Sequence, residues 1–183
     1  MSEAVLIAIR PEYCKLIASG EKTIEVRKTR PKRETPFKCY IYCTKGTPLL
    51  YCRPSQRIGN GLVIGEYVCD YTQTIYYDSD VRYGIDFPND YGKWLMEASR
   101  LTLWEMLDYF KGQDGEYWHI SDLVIYDKPK DLSEFKKPCP MTLYCESCAM
   151  WNYRKGCGNS ALQITRPPQS WRYVEELTET DDS

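Results

Sequence analysis

The chain has 183 residues, with 24 Lys and Arg against 26 Asp and Glu and a formal net charge of -2. This balance excludes a protein that coats duplex DNA through a broad basic surface. No apolar run approaches the roughly 20 residues that span a bilayer, and no signal peptide is visible. We therefore expect a cytoplasmic protein with a sizeable core, no membrane contact and nine reduced cysteines.

The N-terminal part of the chain predicts a strand, a short helix and a second, polar strand. Residues 5–9 are uniformly apolar, which is typical of a buried strand. Pro11 suits the first helical position, and Gly20 suits the left-handed residue that follows a last turn. In the next strand Ile24 and Val26 alternate with polar residues, so one face of this strand is expected to enter the core.

Three charged side chains accompany this polar strand. Glu25 and Arg27 share the face opposite the apolar one, because successive side chains point to opposite faces, and Lys22 lies at the entry. A carboxylate, a guanidinium and an amine held close together form a site for polar, planar ligands. The alternative is a solvated strand face with a surface ion pair. The basic run over residues 27–38 is either a phosphate-contacting loop or a solvated one.

The rest of the chain predicts mostly strands with a few short helices. These elements are expected over residues 38–44, 62–74, 90–98 and 117–126. A further helix begins after Thr102, which forms a capping box with Glu105. Because the order is unlike repeated βαβ units, we predict an α+β fold or a small barrel with attached helices.

Four of the nine cysteines lie close together in the C-terminal part. They are Cys139, Cys145, Cys148 and Cys157. The two-residue gap in the middle of this set lets one turn present two sulfurs to one metal, and four thiolates would complete a tetrahedral zinc site. We predict structural zinc that orders this connection. Free thiols are the main alternative, and an iron–sulfur or redox role is a third.

The pattern Gly-x-Lys-x-x-Glu-x-Arg over residues 20–27, after a strand and a short helix, resembles the ASCH domain family. Further segments with this resemblance lie at residues 65–70, 118–123, 126–129, 166–171 and 173–176. The last of them are similar to phage-type and bacterial members. The resemblance implies an α+β, PUA-like small β-barrel with short flanking helices. It predicts a single domain over residues 1–177, with a Cys-rich insertion over residues 138–160, and an acidic tail over residues 178–183.

The resemblance also implies a ligand, because PUA-like barrels commonly recognise RNA or a modified base. An unpaired base would enter a cleft that carries Lys22, Glu25 and Arg27. Glu25 would accept from an exocyclic amine, and the two cations would donate to carbonyl or phosphate oxygens. An aromatic ring would stack on the base. The candidates for this ring are Trp171, Tyr67 and Trp118.

Two other functions are compatible with the same residues. Some small ASCH proteins resemble amidohydrolases that remove an acyl group from a modified cytidine such as N4-acetylcytidine. Lys22 matches their lysine, but Glu25 stands where they have a threonine nucleophile, so the pair would instead have to activate water. These enzymes also use a distant glutamate, and the candidates for it in this chain are Glu66 and Glu97. A zinc-stabilised protein-interaction adaptor is the other possibility, and an exposed apolar patch would identify it.

Native mass spectrometry of the full chain is expected to show about one zinc ion per molecule, bound by the four clustered thiolates. Cys145→Ser is expected to release the metal, whereas Cys52→Ser, outside the cluster, is expected to retain it. Zinc-free protein in which all four clustered thiols react with a thiol reagent would contradict the prediction.

Overall fold

The computed structural model describes residues 2–46, 61–78, 89–139, 151–152 and 156–177. The strands in these ranges are β1 (Glu3–Ile9), β2 (Ile24–Arg27), β3 (Phe37–Cys43), β4 (Val63–Cys69), β5 (Thr72–Ile75), β6 (Gly115–His119), β7 (Ser121–Lys130), β8 (Trp151–Asn152), β9 (Gly156–Cys157) and β10 (Trp171–Glu175). The helices are α1 (Pro11–Ala18), α2 (Asn89–Ser99) and α3 (Leu103–Phe110).

A five-stranded sheet with the order β10-β1-β3-β4-β7 forms the larger layer. The β1–β3 pair is parallel, and the other pairs are antiparallel. Strand β1 is apolar from Ala4 to Ile9 because both of its faces are covered there: Val5 and Ile7 enter one core cluster, whereas Ala4 and Leu6 enter another. The uniformly apolar run that predicted a buried strand therefore reflects burial on two sides.

A three-stranded sheet with the order β2-β6-β5 forms the smaller layer. The chain passes from one sheet to the other within one or two residues at two places, at residues 70–71 between β4 and β5 and at Ile120 between β6 and β7. The single strands predicted over residues 62–74 and 117–126 are therefore wrong in extent, since each is divided between two sheets. At this corner the His119 amide donates to the Tyr71 carbonyl at 3.1 Å. Strands that change sheet in this way are usual at corners of packed sheets.

The predicted mixed α+β class is confirmed. Among the described residues the strand pairings form these two sheets and a two-stranded β8–β9 ribbon, without the hydrogen-bonded closure of a barrel. No helix in the described ranges is long and apolar enough to cross a membrane.

The helices follow the sequence signals that predicted them. Helix α1 has Pro11 in its first turn, and Gly20 after it has a φ of 75°. Thr102 and Glu105 form the predicted capping box at the start of α3. Helices α2 and α3 cover one face of the smaller sheet, where Leu95 and Met106 pack in the same cluster as Ile24 and Val26. The polar face of β2 is thereby left on the opposite side.

Gly65 in β4 lies against β7 so closely that a Cβ atom there would be 2.3 Å from the Val124 carbonyl oxygen. Gly65→Ala is expected to destabilise the fold by about 1–3 kcal/mol, because the β4 and β7 backbones would have to separate. Urea unfolding monitored by circular dichroism measures this change. Gly46→Ala is the control, since the described atoms that its Cβ would meet belong to the Pro11 ring, with the nearest at 3.2 Å. Equal midpoints for Gly65→Ala and the wild type would contradict the prediction.

Candidate functional site

A cavity of about 110 Å³ lies where the end of β1, helix α1, strand β2 and helix α3 meet. Its polar lining includes Lys22, Glu25 and Arg27, together with Tyr13, Glu105 and Tyr109. The structure thus brings together the three charged residues that the sequence singled out. Exposed Glu105 lies at this wall, so the cavity opens to the surface on the side of α3.

All three charged residues are buried, with 2% of Lys22, 6% of Glu25 and 8% of Arg27 exposed. The alternative of a solvated strand face with a surface ion pair is therefore wrong. Burying charge is costly unless each group is paired and hydrogen-bonded, so the partners of these side chains decide what the site can do.

Lys22 is held by main-chain carbonyls. Its Nζ donates to the carbonyl oxygens of Ile24 and Ser99, both at 2.7 Å, and lies 3.3 Å from Glu25 Oε2. The Ser99 carbonyl belongs to the end of α2, so Lys22 joins the α1–β2 connection to that helix. Burial lowers the pKa of the Lys22 ammonium, and the neighbouring Glu25 carboxylate opposes this shift.

Arg27 binds Glu25 and the larger sheet at the same time. Its Nη2 lies 2.9 Å from Glu25 Oε1 and donates to the Ala8 carbonyl at 2.7 Å. Two polar atoms of this pair have no hydrogen-bond partner among the described residues: the Arg27 Nε donor and the Glu25 Oε2 acceptor. Lys22 Nζ is near Oε2, but its approach does not have hydrogen-bond geometry. One buried donor and one buried acceptor of this ion pair therefore have no hydrogen-bond partner among the described residues.

Two tyrosines and a glutamate complete the walls. Lys22 Nζ lies 5.2 Å from the centroid of the Tyr13 ring, and Lys28 Nζ lies 5.5 Å from that of Tyr109. Burial raises the pKa of the Tyr13 hydroxyl. Hydrogen bonds from the Thr102 backbone and side chain lower the pKa of Glu105. The sequence identified Glu105 only as part of a capping box. The helical pattern of α3 did not show which residues of this helix would face β2.

The ASCH domain model matches residues 7–154, which is most of the chain. The chain belongs to the ASCH domain family. The ASCH protein from Zymomonas mobilis and two single-residue variants of it are structural neighbours, each with a TM-score of 0.50 and 20% identity. These matches cover 94% of this chain and 88%, 89% and 91% of the neighbours. No curated protein sequence matches the chain.

Family membership agrees with the prediction from the sequence. The ASCH domain is a PUA-like fold associated with RNA binding, so the coarse functional class is supported. The likeness to the Zymomonas mobilis protein concerns the fold.

The three aromatic candidates for base stacking do not line the cavity of this ASCH domain. Tyr67 and Trp118 are fully buried in the core of the larger sheet. The Trp171 ring packs edge-on against Trp118, and its Nε1 donates to Thr29 Oγ1 at 3.2 Å. Tyr13 and Tyr109 provide the rings of the cavity instead.

The candidates for a distant catalytic glutamate also lie elsewhere. Glu66 in β4 forms an ion pair with Lys38 at 3.1 Å and accepts from the Tyr126 hydroxyl. Glu97 is exposed on α2. Glu105 is the further carboxylate that the ASCH domain places at the cavity. The single histidine, His119, is 2.6 Å from Asp70 and stacks on Tyr71, away from this lining.

The predicted zinc ligands fall mostly beyond the described part of the ASCH domain. Cys145, Cys148 and the Cys157 side chain lie outside the described residues, and Cys139 is a half-buried free thiol. Within the described residues no group of three or more metal-ligating side chains is present. The zinc site therefore stays a prediction.

Lys22 is expected to lose its proton at a lower pH than the exposed lysines, because burial disfavours its ammonium form. Between the lowered pKa of folded Lys22 and the ordinary pKa of 10.5, the unfolded chain binds more protons than the folded one, so this group's contribution to the free energy of unfolding rises with pH in that window. NMR titration of lysine side chains, assigned with Lys22→Arg, measures the shift, and exposed Lys15 serves as the reference. A Lys22 that titrates with or above Lys15 would contradict the prediction.

Proposed function

We propose that this ASCH domain binds RNA, or a nucleoside-like part of it, in the cavity that Lys22, Glu25 and Arg27 line. The observation that carries the proposal is that these three charged side chains line one cavity, while two of their buried atoms, Glu25 Oε2 and Arg27 Nε, have no hydrogen-bond partner among the described residues. Leaving such atoms without partners is costly, and a polar ligand would satisfy both. The family's PUA-like, RNA-associated fold supports the same class of ligand.

The charges around the cavity favour an anionic polymer outside it. Three cationic residues line the cavity, Arg10, Lys22 and Arg27, against two anionic ones, Glu25 and Glu105. Exposed Lys28 lies over the ring of Tyr109, at the cavity wall. The basic run that begins at Arg27 therefore starts inside the site and continues on the surface, where RNA phosphates would lie.

The finer structural features belong to the same proposal. The two sheets, linked through the shared β4–β5 and β6–β7 segments, would correspond to the PUA-like barrel of the family. A base in the cavity would stack on Tyr13 or Tyr109. Trp171 would contact only a ligand that extends beyond the cavity.

A small amidohydrolase is the second candidate, because one observation favours it: burial lowers the pKa of Lys22, and its amine lies 3.3 Å from the Glu25 carboxylate. A neutral lysine beside a carboxylate would have the groups needed to move a proton from water. Glu105, rather than Glu66 or Glu97, would be the further acid.

Fluorescence anisotropy with a labelled single-stranded RNA tests the binding proposal. Wild-type protein is expected to bind, and Glu25→Gln is expected to weaken binding by about tenfold or more, because the buried acceptor loses its charge. Since this change also leaves two buried cations with less compensation, circular dichroism must show that the variant is folded at the temperature of the measurement. Glu21→Gln, an exposed glutamate of the same segment, is the matched control and is expected to bind as the wild type does.

Equal affinities of Glu25→Gln and wild type would contradict the proposed site, as would RNA binding that is absent altogether. Incubation with an N-acylated cytidine separates the two functions. Release of the free acid by wild type, with loss of that release in Lys22→Ala, would favour the amidohydrolase. Release that survives in Lys22→Ala would exclude the catalytic role of Lys22.

A further inference from the structure

An aromatic surface lies where α2 meets the smaller sheet, and it shares no residue with the cavity lining. Five rings form a series in which each ring contacts the next, and we call this series the aromatic strip: Trp94, Tyr91, Tyr117, Tyr71 and His119. The Trp94 and Tyr71 rings both lie 6.0 Å from the central Tyr117 ring, at interplanar angles of 73° and 87°. The His119 ring stacks on Tyr71 at 4.7 Å. Each ring of the strip is therefore held by its neighbours.

The central ring of the strip is buried, whereas the rings on either side of it are open to solvent. Tyr117 is 2% exposed, and its hydroxyl donates to Gln73 Oε1 at 2.8 Å, so both ends of this side chain are satisfied. Trp94 is 40% exposed and Tyr71 is 36% exposed. Exposed Trp and Tyr rings that their neighbours hold in place offer a large contact area at a low cost in conformational entropy.

Two carboxylates accompany Trp94 on α2. Asp90 and Glu97 lie four residues before and three residues after Trp94, and side chains at these spacings are neighbours on a helix surface. Both are exposed, as is Lys93, the one basic residue of this helix. The surface of α2 around Trp94 therefore has an excess of negative charge.

A third carboxylate lies at the other end of the strip. Asp70 directly precedes Tyr71, and its Oδ1 lies 2.6 Å from His119 Nδ1. The Asp70 side chain is 43% exposed. Acidic groups thus border the aromatic strip at both ends, in contrast to the cavity, where cationic residues outnumber anionic ones.

We infer that the aromatic strip is a docking surface for a cationic, arginine-containing segment of a partner protein. A guanidinium stacks on the face of an aromatic ring and donates to carboxylates at its edge, so the exposed rings and the acidic groups recognise the same side chain. Stacking on Trp94 would place the guanidinium near Asp90 and Glu97. Because the strip and the cavity share no residue, this binding does not require an empty cavity.

Single-stranded RNA fits this surface less well, although its bases also stack on aromatic side chains. Such sites combine the rings with a positively charged groove that follows the phosphates. Here the groups that border the rings are Asp70, Asp90 and Glu97, which repel phosphate. The charge of the surface therefore favours a basic protein segment over RNA.

Fluorescence anisotropy of the full chain with a short labelled peptide of alternating arginine and glycine tests the inference. We expect this peptide to bind. The same peptide with citrulline in place of each arginine keeps the planar end group but has no charge, and we expect it to bind about tenfold more weakly or worse. A lysine–glycine peptide is expected to have an intermediate affinity, since an ammonium does not stack as a guanidinium does.

Trp94→Ala is expected to weaken binding of the arginine peptide by about tenfold, because the main exposed ring is lost. Trp104→Ala is the matched control, since Trp104 is a tryptophan of α3 with 68% exposure, and it is expected to bind as the wild type does. Trp94 also contacts Tyr91 and Tyr117, so circular dichroism must show that this variant is folded.

A pair of exposed substitutions tests the carboxylates without altering the rings. Asp90→Asn combined with Glu97→Gln is expected to weaken binding of the arginine peptide by about fivefold. Asp122→Asn combined with Asp127→Asn removes the same number of charges from exposed positions of β7 and is the matched control. Equal weakening by the two pairs would show that the peptide responds only to net charge, and would overturn the inference.

The remaining outcomes also decide the matter. A wild-type chain that does not bind the arginine peptide, or a Trp94→Ala variant that binds it with unchanged affinity, would overturn the inference. So would RNA binding that Trp94→Ala weakens while peptide binding stays the same, because the strip would then belong to the RNA site. Glu25→Gln alters only the cavity and is expected to leave peptide binding unchanged, so the inference and the proposed function are tested separately.

Discussion

The buried contact of Lys22, Glu25 and Arg27 is the interaction on which the site depends. Placing three charges in the interior costs several kcal/mol for each ion, and removal of one partner from a buried pair typically costs 3–5 kcal/mol. The structure offsets this cost with main-chain oxygens from three separate elements, those of Ala8, Ile24 and Ser99. The arrangement therefore forms only when β1, β2 and α2 are all in place. The folding of these three elements and the formation of the site are therefore coupled.

The site lies where the two sheets meet because of how the chain is routed. Strand β2 is an edge of the smaller sheet, and its polar face looks away from the α2–α3 layer. The Ala8 carbonyl near the end of β1 receives Arg27 across the gap between the sheets. A carbonyl at the end of a strand is available for such a bond, since it is less committed to a neighbouring strand. The charged pair thus joins the two layers as well as lining the cavity.

The sequence showed which residues share a face, but it did not show their burial. Alternation along Ile24–Arg27 places Glu25 and Arg27 together, and this follows from strand geometry alone. The burial of the charged side chains depends on Ser99 and Ala8, which are distant in sequence. Because these two residues contribute only main-chain carbonyls, no pattern of side chains could predict their contacts. The bend at residue 120 was not predicted, and the bend within residues 62–74 was not located, for a related reason. The residues on both sides of each bend are apolar and aromatic, as is typical of a continuous strand. Each bend is recognised only because the strand before it and the strand after it pair in different sheets.

The protonation state of Lys22 decides between binding and hydrolysis. While Lys22 holds its proton it has no lone pair. Two of its donors bind the carbonyls of Ile24 and Ser99, and its charge forms an ion pair with Glu25 at 3.3 Å. A base catalyst would need the neutral amine, whose two N–H groups match the two carbonyls but leave a lone pair beside Glu25 Oε2. That lone pair and the carboxylate would repel each other unless a proton or a water O–H donor lay between them. These contacts therefore favour the charged lysine, which is the form that the proposed binding requires.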